Sequence, residues 1–187
     1  MHFTRGKSQL RRTVALMYRR MKYAVAAPVV TWIMTKTSLL DGGDAPPRLL
    51  NYAADGDFVQ QGDELIVALQ RDFDLTGGIR ILDIGCGIGR VATAMWRAKL
   101  DVSYDGFDIV QYGTAWCRKK IPQSEGYRFV HADIFNPFYN PRGKIAPTEY
   151  TFPYANGSFA LHNAVSDFTT LLEEATRTYY ADAMRVL

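Results

Sequence analysis

Acid is missing from the first 40 residues of this 187-residue chain, although that stretch holds eight basic residues: Arg5, Lys7, Arg11, Arg12, Arg19, Arg20, Lys22 and Lys36. Cysteine and histidine are scarce throughout. Cys86 and Cys117 form no Cys-x-x-Cys pair and the three histidines show no zinc-ligand spacing, so neither a disulfide framework nor a metal site is indicated. A reducing compartment follows by default, and the cytoplasm is the expected location. Long apolar runs are absent too. The uncharged stretch from Tyr23 to Thr35 is interrupted by Pro28 and is too short to cross a bilayer as a helix. No nucleic-acid-binding motif occurs, and beyond residue 40 the other 14 basic residues face all 19 acidic ones, so nucleic acid is not an expected partner.

What is present suits one globular domain. Hydrophobic residues make up 48% of the chain and charged residues 22%, and the length allows a substantial core. From Gly62 onward the pattern alternates helix and strand. Gly62–Phe73 reads as a helix with Leu65, Ile66, Leu69 and Phe73 on one face, and Gly77-Gly78 breaks it before an apolar strand. A second helix runs from about Val91 to Leu100, and a third from Tyr112 to Ile121, where Pro122 stops it. Four of the eight prolines lie between residues 136 and 157, which predicts a long irregular connection of the functional or mobile kind. A strand near Phe159–Val165 and a closing helix with Leu172, Ala175, Tyr179, Ala183 and Val186 on its inner face complete the series. Alternation of this kind implies a parallel, doubly wound α/β sheet with right-handed crossovers.

The chemistry concentrates in Ile81-Leu82-Asp83-Ile84-Gly85-Cys86-Gly87-Ile88-Gly89, where a strand passes through three glycines into a helix. Glycine lets a backbone turn sharply and come within contact of a ligand, and the helix behind it presents free N–H groups. Cys86, inside this turn, is a tolerated small side chain and takes no nucleophilic role. The dinucleotide fingerprint G-x-G-x-x-G does not fit, because the third glycine comes one residue early and Arg90 takes its place. Asp83 also argues against a dinucleotide: a carboxylate accepts bonds from a cation or from loop N–H groups and serves poorly beside a pyrophosphate. About 20 residues on, Ser103–Val110 reads as a strand ending in Asp108, the distance at which α/β nucleoside sites place an acid for ribose hydroxyls. A third strand, Phe129-Val130-His131, runs into Ala132-Asp133-Ile134; His131 reads as an ordinary strand-end histidine.

Asp83-x-Gly85-x-Gly87-x-Gly89, followed by Gly106-Phe107-Asp108-Ile109 and His131-Ala132-Asp133-Ile134, resembles the class I S-adenosylmethionine-dependent methyltransferases. The resemblance spans roughly residues 45–187. It implies that the glycine loop, with Asp83, Gly85, Gly87 and Gly89, curls around the amino-acid end of S-adenosylmethionine. It implies further that Asp108 binds the ribose, that Asp133 bonds the adenine amino group, and that Ile134 and Ile109 cover the two faces of the ring. Asp44–Phe58, with Pro46, Pro47 and Tyr52, resembles a lid over the cofactor, and the proline-rich connection would help enclose the acceptor. The implied reaction is in-line transfer of a sulfonium methyl group to a small-molecule, lipid or glycan acceptor. His162, Asp167 and Tyr139 are the available bases, with nothing to choose among them.

Two departures from the family pattern leave a second function open. Family members commonly carry Phe-Asp at the start of the fourth strand and Phe-Thr-His after it; here these read Phe159-Ala160 and Phe168-Thr169-Thr170. The chain also encodes about four strands of a usual seven, ending at Leu187. It is expected to be a fragment, a truncated product, or a protein that completes its sheet otherwise, for example by oligomerisation. A non-catalytic binding or regulatory protein on the same fold is therefore the alternative to an enzyme.

The basic stretch 1–40 is expected to be an extension separate from the domain at 41–187. Leu10, Val14, Met17 and Met21 share one helical stripe, with Arg11, Arg12, Arg19 and Lys22 on the other side. Three readings remain open at this point: a helix packed on the domain, an amphipathic helix on an anionic membrane surface, or a targeting peptide.

Overall fold

The computed structural model describes residues 29–30, 32–33, 43–47, 51–52, 56–164 and 173–187. The stripe Leu10 to Met21, the candidate base Asp167 and the Phe168-Thr169-Thr170 segment lie outside the described residues.

Helix α1 spans Phe58–Asp72, then come strand β1 (Ile79–Ile84), helix α2 (Arg90–Arg97), strand β2 (Val102–Asp108) and helix α3 (Gln111–Lys120). Strand β3 (Tyr127–His131), strand β4 (Leu161–Asn163) and helix α4 (Glu173–Val186) follow. The four strands form one parallel sheet in the order β3-β2-β1-β4. The chain thus winds outward from β1 through β2 to β3, then returns to the other side of β1 for β4. That reversal beside β1 is the switch point at which open α/β sheets bind ligands, outside the carboxyl ends of the strands.

Both faces of the sheet are covered, so neighbouring strand residues are buried on opposite sides. Ile81, Tyr104 and Phe129 pack with Phe58 and Ile66 of α1, Ala92 and Met95 of α2, and Trp116 and Cys117 of α3. Leu82, Ile84 and Phe107 pack with Tyr179, Ala183 and Val186 of α4 and with Phe152, Tyr154 and Phe159. Period-two burial with helices on both faces explains why the strands read as apolar runs. Of the inner face expected for the closing helix, Ala175, Tyr179, Ala183 and Val186 lie in the core, and Leu172 lies outside the described residues. Its other side leaves Tyr180, Met184 and Leu187 exposed.

Two boundaries differ from the sequence reading for local reasons. Helix α1 begins four residues early because Asp57 caps it, its Oδ1 accepting from Val59 N and Gln60 N at 2.9 Å each. Gly62 is no start signal but a crossing point: a Cβ there would stand 3.0 Å from Arg90 O and 3.1 Å from Ala94 Cβ. Helix α2 ends at Arg97, and Lys99 closes it in the left-handed region at φ 51°. Lysine in a position that glycine usually fills gives the sequence no stop signal.

The proline-rich connection holds no helix or strand among its residues, as expected, yet half of it is tied down. Phe152 and Tyr154 are buried, and α4 grips the backbone beside them. Arg185 Nη2 donates to Phe152 O at 3.0 Å and its Nη1 to Tyr154 O at 2.8 Å, while Asp182 accepts from Phe152 N. These bonds satisfy carbonyls that an irregular segment would otherwise bury unpaired.

Candidate functional site

At the carboxyl end of β1 the backbone passes through the left-handed region at Gly85 (φ 70°), Gly87 (φ 60°) and Gly89 (φ 75°). Side-chained residues rarely adopt these angles, which accounts for all three glycines. Two glycines further on permit close approach. A Cβ at Gly106 of β2 would come 2.9 Å from Cys86 Cβ, and one at Gly113 of α3 would come 2.8 Å from Gly87 O and 2.5 Å from the Tyr52 hydroxyl oxygen. The loop is therefore seated against β2 and α3 by residues that carry no side chain. Arg90 opens α2 directly behind it, its Nε and Nη2 buried without hydrogen-bond partners and its guanidinium 5.8 Å from the Phe58 ring centre.

Asp83 and Asp108 both reach this end of the sheet, but they do different work. Asp83, only 3% exposed, accepts from the Tyr104 hydroxyl and from Asn163 Nδ2 at 2.8 Å. Its partners are thus side chains of β2 and β4, neither a cation nor loop N–H groups as expected for it. Burial pushes its carboxyl up to about 6, against the lowering effect of these two bonds. Asp108 instead braces the loop. Its Oδ2 accepts from Gly87 N at 2.9 Å, and its Oδ1 from Val110 N at 2.7 Å and from the Tyr52 hydroxyl at 3.0 Å. Burial raises its carboxyl as well, against bonds from Val110 N, the Tyr52 hydroxyl, Gly87 N and Ile109 N that favour the anion.

The remaining expected residues lie along the same edge. Ile109 is half-buried, and its carbonyl lies 3.2 Å from His131 Nε2. Burial lowers the His131 pKa, which suits a strand-end histidine that stays neutral. Asp133 is half-exposed, accepts from Asn140 Nδ2 at 3.3 Å, and keeps acceptor capacity toward solvent. Ile134 is placed differently from the expectation. Its side chain is 2% exposed in the core beside Leu82, Ile84 and Phe107, so it is not at the surface to cover a ring. Among the expected bases, His162 sits on β4 with Nδ1 buried and unpartnered, and Tyr139 lies 6.4 Å from Tyr52, ring centre to ring centre.

Three residues of this arrangement carry no signal in the sequence. Tyr104 and Asn163 meet Asp83 only because the sheet register sets Asp83 opposite Asn163, with Tyr104 on the neighbouring strand. Asn140 reaches Asp133 through a turn at Asn136, whose Oδ1 accepts from Phe138 N and Tyr139 N.

A positive-φ glycine turn at the switch point, braced by a buried acid from the next strand, is the construction of a nucleoside-type site in a doubly wound α/β protein. A family model described as "Methyltransferase domain" matches residues 82–186. The chain belongs to that family and is a class I S-adenosylmethionine-dependent methyltransferase domain, with S-adenosylmethionine as its cofactor. Among solved structures it is similar to the [4+2]-cyclase SpnF, with a TM-score of 0.53, 18% identity, and coverage of 87% of this chain and 55% of that one. It is also similar to Haemonchus contortus phosphoethanolamine N-methyltransferase 1, in complex with phosphoethanolamine and S-adenosylhomocysteine. There the TM-score is 0.53 at 14% identity, covering 90% of this chain and 30% of that one. The chain therefore spans only about a third to a half of the length of these proteins. At such identities the likeness concerns the fold alone.

The residues present fit the cofactor. An acceptor-only carboxylate matches the two donors of a ribose diol, and the loop backbone at Gly85 and Gly87 has no Cβ to hold a ligand away.

Proposed function

We propose that this chain binds S-adenosylmethionine across the carboxyl ends of β1, β2 and β3 and transfers its methyl group to a small-molecule, lipid or glycan acceptor. The observation that carries this reading is the Asp108 carboxylate, buried at the strand end and bonded to Gly87 N of the glycine turn at 2.9 Å. Gly85, Gly87 and Gly89 would give the amino-acid end of the cofactor a close backbone surface, and Asp83 beneath them fixes β1 against β2 and β4. Asp108 would hold the ribose diol, Asp133 the adenine amino group, and Ile109 the ring. Ile134 would contribute through its backbone, since its side chain is in the core.

When bound, the cofactor supplies a methyl group on a good leaving group, so the work left to this chain is orientation and exclusion of water. Tyr52 and Tyr139 border the site where the acceptor would enter, with Tyr52 edge-on to Tyr112 at 5.3 Å between ring centres. The test is release of S-adenosylhomocysteine from S-adenosylmethionine when pools of amine, hydroxyl and lipid acceptors are supplied. Acceptor-dependent release supports the enzyme. Tight cofactor binding with no release from any pool favours the second reading, a binding or regulatory protein, which Ala160 in place of the family's acid supports.

A further part of the proposal is contact of the basic N-terminus with an anionic membrane, resting on eight basic residues without an acid in the first 40. Among the described residues no helix is long and apolar enough to cross a membrane. The full chain should sediment with vesicles rich in anionic lipid at low salt and much less with neutral ones. Changing Arg11, Arg12, Arg19 and Lys22 to serine should abolish most of this; persistence would place the contact elsewhere.

A further inference from the structure

Tyr52 stands apart from the rest of the site because it spends its hydroxyl on the acid that the cofactor needs. The hydroxyl donates to Asp108 Oδ1 at 3.0 Å across 56 residues of sequence. Its ring is held edge-on by Tyr112, 5.3 Å away, and faces Tyr139 at 6.4 Å. The space for the hydroxyl exists only because residue 113 is glycine, since a Cβ there would lie 2.5 Å from the tyrosine oxygen. Burial and the Asp108 charge raise the Tyr52 pKa well above its ordinary value, so it remains a donor at neutral pH. The contact is therefore a built one between a buried donor and a buried acceptor.

Acceptor capacity decides what this contact does. A carboxylate offers about four lone-pair sites. In Asp108 backbone groups take most of them: Gly87 N and Val110 N, fixed by the loop and by the start of α3, with Ile109 N beside them. The side-chain donor is the Tyr52 hydroxyl, which takes the place that a ribose hydroxyl would need.

We propose that the Tyr52 hydroxyl is an internal stand-in for one ribose hydroxyl: it satisfies Asp108 in the cofactor-free protein and must give way when a ribose diol binds. The inference rests on Asp108 being the ribose acid. Tyr52 is then a specificity-determining residue, because only a ligand that brings a ribose hydroxyl to Asp108 replaces the bond it displaces. In the cofactor-free state it also gives the buried Asp108 Oδ1 a second donor beside Val110 N, which favours the carboxylate in a dry site. Each cofactor that enters exchanges one hydroxyl for another at this oxygen, so the tyrosine lowers affinity for the nucleoside while keeping the empty site ordered.

The test is calorimetric titration of the full chain and its Tyr52→Phe variant with S-adenosylhomocysteine, together with thermal unfolding of both cofactor-free proteins. The phenyl ring keeps the contacts to Tyr112 and Tyr139 and removes only the competing donor. The variant should bind S-adenosylhomocysteine roughly three- to tenfold more tightly, the size of one released hydrogen bond. It should unfold at a slightly lower temperature when empty. With a 2′,3′-dideoxy analogue the gain should vanish, because that ligand makes no claim on Asp108. Equal affinity of variant and wild type for S-adenosylhomocysteine would overturn the proposal, and weaker binding by the variant would instead make Tyr52 a direct ligand contact. An equal gain with the dideoxy analogue would overturn it too. Failure of both proteins to bind any adenosyl ligand would remove the cofactor reading itself, an outcome distinct from the other three.

Discussion

Replacing Asp83 with asparagine should make the cofactor-free protein more stable at pH 7, by about 3 kcal/mol. The carboxyl is raised by burial to about 6 in the folded state, from an ordinary value of 3.8. The folded protein therefore holds this proton more tightly than the unfolded chain does. By linkage, its stability falls as pH rises from about 4 to about 6, and above that range the full cost of a buried charge is in place. The amide of the variant carries no charge and can still accept from the Tyr104 hydroxyl. The difference between wild type and variant should consequently be small at pH 4, grow through pH 5 and 6, and level off by pH 7. Other acids cancel from this difference. Asp44 and Asp72, which ion pairs hold below their ordinary value, lose stabilisation in the opposite direction as pH falls, but they do so equally in both proteins. Urea unfolding at each pH measures it; a pH-independent difference would show that Asp83 titrates normally.

An effect of comparable size and opposite sign, a loss of stability, is expected from Gly143→Ala, in the connection that frames Asp133. A Cβ at residue 143 would run into the Ile134 carbonyl carbon and oxygen, with Phe135 N 2.5 Å away. Every one of these atoms is backbone, so no side chain can swing aside. The segments cannot simply part either, because Lys144 N and Ile145 N both donate to Asp133 O, at 2.9 and 3.0 Å, and Phe135 N donates to Ile145 O at 2.8 Å. Relief has to come from breaking that ladder. Overpacking against an unyielding wall costs up to about 3 kcal/mol, which for a domain of this size corresponds to roughly 6–12 °C in Tm. Differential scanning calorimetry of the full chain reads it. A shift under 2 °C would mean that Gly143 is not pressed against Ile134.

The order of elements was readable from the sequence because apolar periodicity and glycine punctuation report on local geometry. The parallel sheet, the glycine turn and the inner face of α4 all rest on such patterns. Spacing likewise brings Asp83, Asp108 and Asp133 to strand ends, since in a parallel sheet every strand presents its carboxyl end to the same side. What spacing cannot carry is the direction in which a side chain faces once neighbours are assembled. Ile134 is expected, by the resemblance, to cover the adenine ring, yet in the fold its side chain is buried with Leu82 and Phe107. Asp108 reads as free for a ligand, whereas in the fold it also bonds Gly87 N, Val110 N and Tyr52. The long connection reads as loose because of its prolines; the clamp by Asp182 and Arg185, 30 residues away, becomes visible only in the folded chain. Each miss involves a partner distant in sequence.

The central claim is that the glycine turn and Asp108 form one adenosyl site. Isothermal titration of the full chain with S-adenosylhomocysteine, and separately with a nicotinamide dinucleotide, tests it most directly when repeated on Gly87→Val. Gly87 holds φ 60° and its N–H is bound by Asp108, so valine both strains the turn and fills the ligand's approach. The wild type should bind S-adenosylhomocysteine at one site per chain and ignore the dinucleotide, and the variant should bind neither. Equal binding of S-adenosylhomocysteine by wild type and Gly87→Val, or tight binding of the dinucleotide in its stead, would contradict the account.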